Sequence, residues 1–134
     1  MRQAFSSDSA PQPRGSYSQV IRAGSLVFTA GFGPVDPVTD QIVGSTVEEQ
    51  TARVLDNLEA ALAAAGCGLR DVVKVTTHLA DLERDFARYD AVYRTRMVAP
   101  YPVRTTVGSQ LMGILVEIDV VAVLPDAAEQ PGTA

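Results

Sequence analysis

The 134-residue sequence has no tryptophan, one cysteine, one histidine and one lysine, and each shortage removes a class of function. A lone Cys67 cannot close an internal disulfide and supplies neither a zinc cage nor a redox pair, so a reducing cytoplasm is the expected setting. A lone His78 builds no metal site, and no acid or nucleophile is placed by sequence to work with it; it reads as a solvated or interface residue. The formal charge is −5 and Lys and Arg form no cluster. The chain therefore lacks the electrostatic footprint that neutralises phosphates or settles on an anionic membrane, and neither is expected as a partner. No apolar run approaches the roughly 20 residues that span a bilayer. The opening "MRQAFSSDSAPQPRG" also lacks the apolar core of a signal peptide.

What is present is ordinary for a globular protein, with 46% hydrophobic and 20% charged residues over the length of one domain. The expected division is a partly flexible leader over 1–14, a single domain over 15–125 and a disordered tail over 126–134. "SYSQVIRAG" and "LVFTAG" read as a hairpin that turns at Gly24 and Ser25. "PVDPVTDQIV" reads as a loop ending in a short strand near Gln41 to Val43. The first helix is announced by a capping box, Ser45 with Glu48 or Thr46 with Glu49. Its apolar stripe is Val47, Val54, Leu58, Leu62 and Ala65, and Gly66 stands at its stop.

Beyond it, "VVKVTTHLAD" is a β-branched strand, and "RDFARYDAVYRTRM" has helical spacing with apolar Phe86, Tyr93 and Met97. Pro100 and Pro102 end that helix, and "VRTTVG" and "ILVEIDVVAVL" are the last strands. The order βββαβαββ implies an α+β fold: a two-layer mixed sheet with both helices on one face. The other face of so apolar a sheet then needs a polar surface or a partner subunit.

Several positions stand out chemically. Arg104 and Thr106 share one face of their strand, and Glu117 and Asp119 share one face of theirs; were these strands neighbours, a guanidinium would meet two carboxylates. Two readings of Arg104 follow, a surface salt bridge to Glu117 or Asp119, or a planar fork that grips a ligand carboxylate. Asp90 lies on the stripe its helix should bury, and a carboxylate there needs a partner or a wet edge. "GFGP", residues 31–34, is a turn rather than a phosphate loop, because Pro34 follows and no long helix opens there. Cys67 has no base to activate it and reads as a small filler.

Taken in order, "GSYSQ", "LVFTAGFGPVDPVT", "TARVLDNLEAALAAAG", "VVKVTTHLADLERDFARYDAVY", "YPVRTTV" and "VEIDVVAV" resemble the RidA (YjgF-like) family of enamine/imine deaminases over roughly residues 11 to 124. The resemblance implies a chorismate-mutase-like fold assembled as a homotrimer, with clefts between neighbouring subunits. It implies hydrolysis of small enamine and imine acids, such as 2-aminoacrylate, to keto acids and ammonia, with no cofactor and no metal. Carried over by position, Arg104 corresponds to the arginine holding the substrate carboxylate, Glu117 to the acid positioning the attacking water, and Tyr17 to a tyrosine lining the cleft.

The sequence departs from members acting on 2-aminoacrylate in a shorter turn between Arg104 and Glu117 and at three sets of side chains. Ala30, Gly31 and Phe32 replace Ser-Gly-Gln, which makes the expected pocket wall more apolar and the expected substrate bulkier. Thr106 replaces a cysteine, keeping a hydroxyl for the carboxylate. Asp90 replaces a frequent asparagine and, if unpaired, would repel an anion and favour a cationic iminium. A non-catalytic trimer that senses keto acids, and a specialised deaminase of a larger enamine, are the alternatives to a general deaminase.

Overall fold

The computed structural model describes residues 1–125. The strands are β1 (Arg2–Phe5), β2 (Val20–Ala23), β3 (Leu26–Thr29), β4 (Val72–Leu79), β5 (Val103–Gly108) and β6 (Val116–Val123), and the helices are α1 (Val47–Ala64) and α2 (Leu82–Arg96). They form one sheet in the order β1-β2-β3-β6-β4-β5. Every neighbouring pair is antiparallel except β4 and β5, which run parallel because α2 carries the chain back between them. Among the described residues no helix is long and apolar enough to cross a membrane. The expected tail over 126–134 lies outside the described residues.

The α1 start is the expected one. Thr46 Oγ1 accepts from the Glu49 amide at 3.2 Å while Glu49 Oε1 accepts from the Thr46 amide at 3.1 Å, so two orphan donors are satisfied reciprocally. Val47, Val54, Leu55, Leu58 and Leu62 are fully or almost fully buried along one stripe. They pack on Val27, Val75, Leu79, Val116, Ile118, Val120 and Ala122, the inward residues of β3, β4 and β6. Each such side chain contributes roughly 1.5–3 kcal/mol by leaving water, so this stripe holds the two layers together. Gly66, at φ +85°, turns the chain out of the helix where a side chain would be strained.

The alternating residues face the other way. Leu26, Phe28, Val103 and Val107 are 39%, 37%, 66% and 36% exposed, and they share the open face with Lys74, Thr76, His78, Glu117, Asp119 and Val121. A face this apolar in a single chain is uncovered surface.

Two expectations are corrected, and the leader adds a strand that the sequence reading did not name: β1 pairs with β2 along the sheet edge. The rest of it is held by the buried Gln19 amide, whose Oε1 accepts from Ser7 N while Nε2 donates to the carbonyls of Ser7, Ala10 and Pro11. The strand expected at Gln41 to Val43 is reduced to one bridge between Val35 and Ile42, so the third strand of the βββ run is supplied by β1. The strands carrying Arg104 and Glu117 are not neighbours, because β4 lies between them.

Candidate active site

The sheet places the singled-out residues in two clefts on opposite sides of one chain. The first opens over the end of α2 and β5, with a volume of about 490 Å³, and is lined by Asp90, Tyr93, Arg94, Tyr101, Pro102 and Arg104. Arg104 stands level with Val75, and Thr106 with Thr77, on the side of the sheet that α2 covers. The guanidinium lies over three rings, with its carbon 4.5 Å from the Tyr93 centroid, 5.5 Å from Phe86 and 5.6 Å from Tyr89. Such a cage holds a cation by its ring faces while leaving the in-plane donors free to point outward.

Those donors meet Asp90. Arg104 Nη1 donates to Asp90 Oδ1 at 2.7 Å, and Arg94 Nη2 donates to Asp90 Oδ2 at 2.8 Å. The salt bridge expected of Arg104 is therefore made, but to α2 rather than to Glu117 or Asp119, both of which point away on the far face. The hydrogen bond from Arg104 holds the Asp90 carboxyl below the usual carboxylate range against the opposing effect of burial. Asp90 is thus a carboxylate paired with two arginines, not an unpaired charge standing in the cleft.

Beneath the arginine, Tyr89 Oη and Thr77 Oγ1 share a 2.6 Å hydrogen bond with both residues fully buried. Burial raises the Tyr89 phenol, and it pushes Tyr93 up to about 12, so both remain neutral beside the cation. Tyr89 was not among the residues singled out from sequence, although it lies four positions before Tyr93 on the same helical stripe.

The second cleft, about 770 Å³, contains Tyr17, Gly31 and Glu117 together with Arg14, Asp40, Ile42, Met112 and Ile114. Gly31 is there for space: a Cβ on it would lie 2.8 Å from Glu117 Oε2 and 3.0 Å from Cδ. The Tyr17 hydroxyl accepts from the Arg14 amide at 3.2 Å. Arg14 and Asp40 pair at 2.7 Å on the rim, where both are well exposed and the pair stabilises little. Phe32 borders this cleft but is only 5% exposed. Its backbone bridges to Ile118 and it packs in the core, so most of the exposed apolar wall is supplied by Ile42, Met112 and Ile114, with Phe32 at the back of the cleft.

His78 does have a hydroxyl partner, Ser109 Oγ at 2.6 Å from Nδ1, and stands across from Glu117 in the β4–β6 register. Ser109 lies 31 residues downstream, a separation that no spacing rule flags. Burial raises the Asp119 carboxyl, with His78 and Lys74 opposing. Cys67 is buried and its thiol is pushed up by that burial, which suits a filler. Among the described residues no group of three His, Cys, Asp or Glu side chains could hold a metal ion.

Known proteins resemble this chain in sequence and fold. The model of the family described as Endoribonuclease L-PSP matches residues 7–124. A RutC family protein of Pyrococcus horikoshii is 40% identical over 124 residues, covering 91% of this chain and 98% of its own. The chloroplastic Reactive Intermediate Deaminase A of Arabidopsis thaliana is 38% identical over 125 residues, 92% of this chain and 66% of its own. The crystal structure of E. coli TdcF with bound serine superposes with a TM-score of 0.84 at 32% identity, over 92% of this chain and 99% of that one. With nearly its whole length matched in sequence and fold, the chain belongs to the RidA (YjgF-like) family, the one that the L-PSP model describes.

Proposed function

We propose that this chain is a hydrolytic deaminase that converts small carboxylate-bearing imines and enamines to keto acids and ammonia, in clefts formed between the subunits of a homotrimer. The observation that carries the reading is the division of one chain into two incomplete halves. One cleft holds a caged arginine suited to a carboxylate; the other holds Glu117 and Tyr17, and among the described residues the one cation that lines it is Arg14, already paired with Asp40. The uncovered apolar sheet face supplies a reason for copies to associate, since burying it removes several hundred Å² of hydrocarbon from water.

In the assembled cleft Arg104 and Thr106 of one subunit bind the substrate carboxylate, and Glu117, Tyr17 and Gly31 of the next face the imine carbon. A protonated imine is already electrophilic, so orientation and proton transfer suffice. Glu117 accepts a proton as water adds to the carbon, giving a tetrahedral aminol. It then returns that proton to nitrogen, the C–N bond breaks with its electron pair leaving on ammonia, and the hydroxyl passes its proton to Glu117 as it collapses to the keto group, that proton leaving with ammonia as ammonium. An enamine enters the same path once its β-carbon is protonated. The relatives support this class: one is named a reactive intermediate deaminase, and another holds serine, itself a small amino acid carboxylate. The net charge of −5 argues against ribonucleic acid as substrate despite the family's description.

The test follows the decay of imines generated from alanine, leucine and phenylalanine by an amino-acid oxidase. Purified protein accelerates hydrolysis of at least one above its spontaneous rate, and Arg104→Ala removes the acceleration. Spontaneous rates for all three would refute the reading. Binding of keto acids without turnover would instead support a metabolite sensor.

A further inference from the structure

The Arg94–Asp90–Arg104 chain has a use beyond holding Arg104 still. Asp90 spends one oxygen on each arginine, at 2.7 and 2.8 Å. The three side chains together carry a net charge of +1. Without Asp90 the same cleft would carry two positive charges, and with Asp90 but without Arg94 it would carry none. A guanidinium has five donors, and Arg104 directs Nη1 at Asp90, so the group can take a second carboxylate in its plane without releasing the first.

A ligand carboxylate bound there neutralises the cleft. A second carboxylate on the same ligand then adds a negative charge to a cleft that already holds Asp90 and has no positive charge left to offset it. Asp90 and Arg104 are only 21% and 23% exposed, so water screens that repulsion less than it would on an open surface. Discrimination by an unfavourable contact is the cheapest way to reject a close analogue.

We propose that Asp90, by bridging Arg104 and Arg94, sets this cleft to accept ligands with one carboxylate and to reject those with two. The proposal rests on the reading of Arg104 as a carboxylate clamp and names the substrate class: imines of neutral amino acids, not of aspartate or glutamate. Asp90 acts as a positioning and selectivity residue and takes no part in the bond changes. The apolar lip of Ile42, Met112 and Ile114 in the complementary cleft is consistent with an uncharged substrate side chain.

The test compares calorimetric binding of α-ketovalerate and α-ketoglutarate, which have the same carbon chain and differ by the terminal carboxylate. At low salt the full-length wild type binds α-ketovalerate more tightly. Asp90→Asn improves α-ketoglutarate relative to α-ketovalerate by roughly tenfold, the size expected of one added charge at short range in a partly desolvated site. Arg94→Gln moves the ratio the other way, and Asp90→Glu restores the wild-type ratio, which a merely structural loss would not. Equal ratios in wild type and Asp90→Asn, with both proteins folded by circular dichroism, would overturn the proposal and leave the deaminase reading standing. A selective cleft that hydrolyses no imine would do the reverse, and failure of the wild type to bind either acid would overturn both.

Discussion

Arg104 and Glu117 leave the same sheet in opposite directions, with β4 between their strands: Arg104 stands level with Val75 on the helix side, and Glu117 faces His78 on the open side. No rotation of either side chain carries it through the hydrogen-bonded sheet. In the proposed trimer, chemistry that uses both groups on one small molecule draws Arg104 from one chain and Glu117 from its neighbour.

Subunit mixing tests that division directly. Arg104→Ala and Glu117→Gln each abolish turnover alone. Refolded together in equal amounts, they form assemblies in which some clefts pair the intact arginine of one variant with the intact glutamate of the other. Random assembly restores about a quarter of the clefts, so imine hydrolysis returns to about that fraction of wild type. No recovery from a mixture shown by light scattering to be assembled would refute a cleft shared between two chains.

Gly31 gives Glu117 its position. A methyl at residue 31 would lie 2.8 Å from the carboxylate oxygen, so Glu117 must swing aside, and its flexible end can do so without disturbing the core. Gly31→Ala is expected to keep its melting temperature within a degree or two while kcat falls by about 10- to 100-fold, the usual cost of moving a reacting group by about an ångström. A fall in stability with unchanged kcat would mean that the backbone, not Glu117, gives way.

Periodicity in the sequence was informative about faces and silent about neighbours. Alternation correctly put Arg104 with Thr106 and Glu117 with Asp119, because a side chain's direction is a local property of a strand. Strand order is not local: β4 comes between β5 and β6 because both crossovers must cover one face, and no residue of β5 encodes that. The Asp90–Arg104 pair was hidden for the same reason, since it joins a helix to the strand after it. The leader's order was missed because a single buried amide, Gln19, does the work that a strand pattern would have advertised. Gln50 and Asn57 act alike, tying Gly44 and Leu115, and Gly33 and Val35, to α1. Polar residues at core positions of a helix stripe are the signal that could have found them.

Asp85 controls acid stability. Its side chain is fully buried and accepts from Arg84 Nε and Nη2 at 2.9 Å and from Arg88 Nη2 at 2.8 Å. The Arg84 hydrogen bonds hold its carboxyl below the usual range, outweighing burial. A carboxyl depressed in the folded state stabilises above its unfolded pKa of about 3.9 and loses that contribution as pH falls through the folded value. Asp85→Asn is therefore expected to melt several degrees lower at neutral pH and to converge on wild type as pH drops below about 4, read by thermal melts across pH. A constant difference down to the acid transition would assign the effect to packing rather than charge.

The two tyrosines under Arg104 differ in one hydrogen bond. Tyr89 Oη is paired with Thr77 Oγ1, whereas Tyr93 Oη is buried with no partner among the described residues. Tyr89→Phe strands a buried threonine hydroxyl and is expected to cost about 1–3 kcal/mol. Tyr93→Phe removes a group already deprived of water and is expected to leave stability unchanged within about 1 kcal/mol or to raise it. Both variants keep an aromatic face beneath the guanidinium, 4.5 Å away for residue 93 and 5.6 Å for residue 89, so carboxylate binding by Arg104 persists in each. Urea unfolding separates the two contributions. Equal costs would mean that Tyr93 finds a partner in the assembled protein, and the subunit-mixing assemblies would then be the place to look for the change in its hydroxyl.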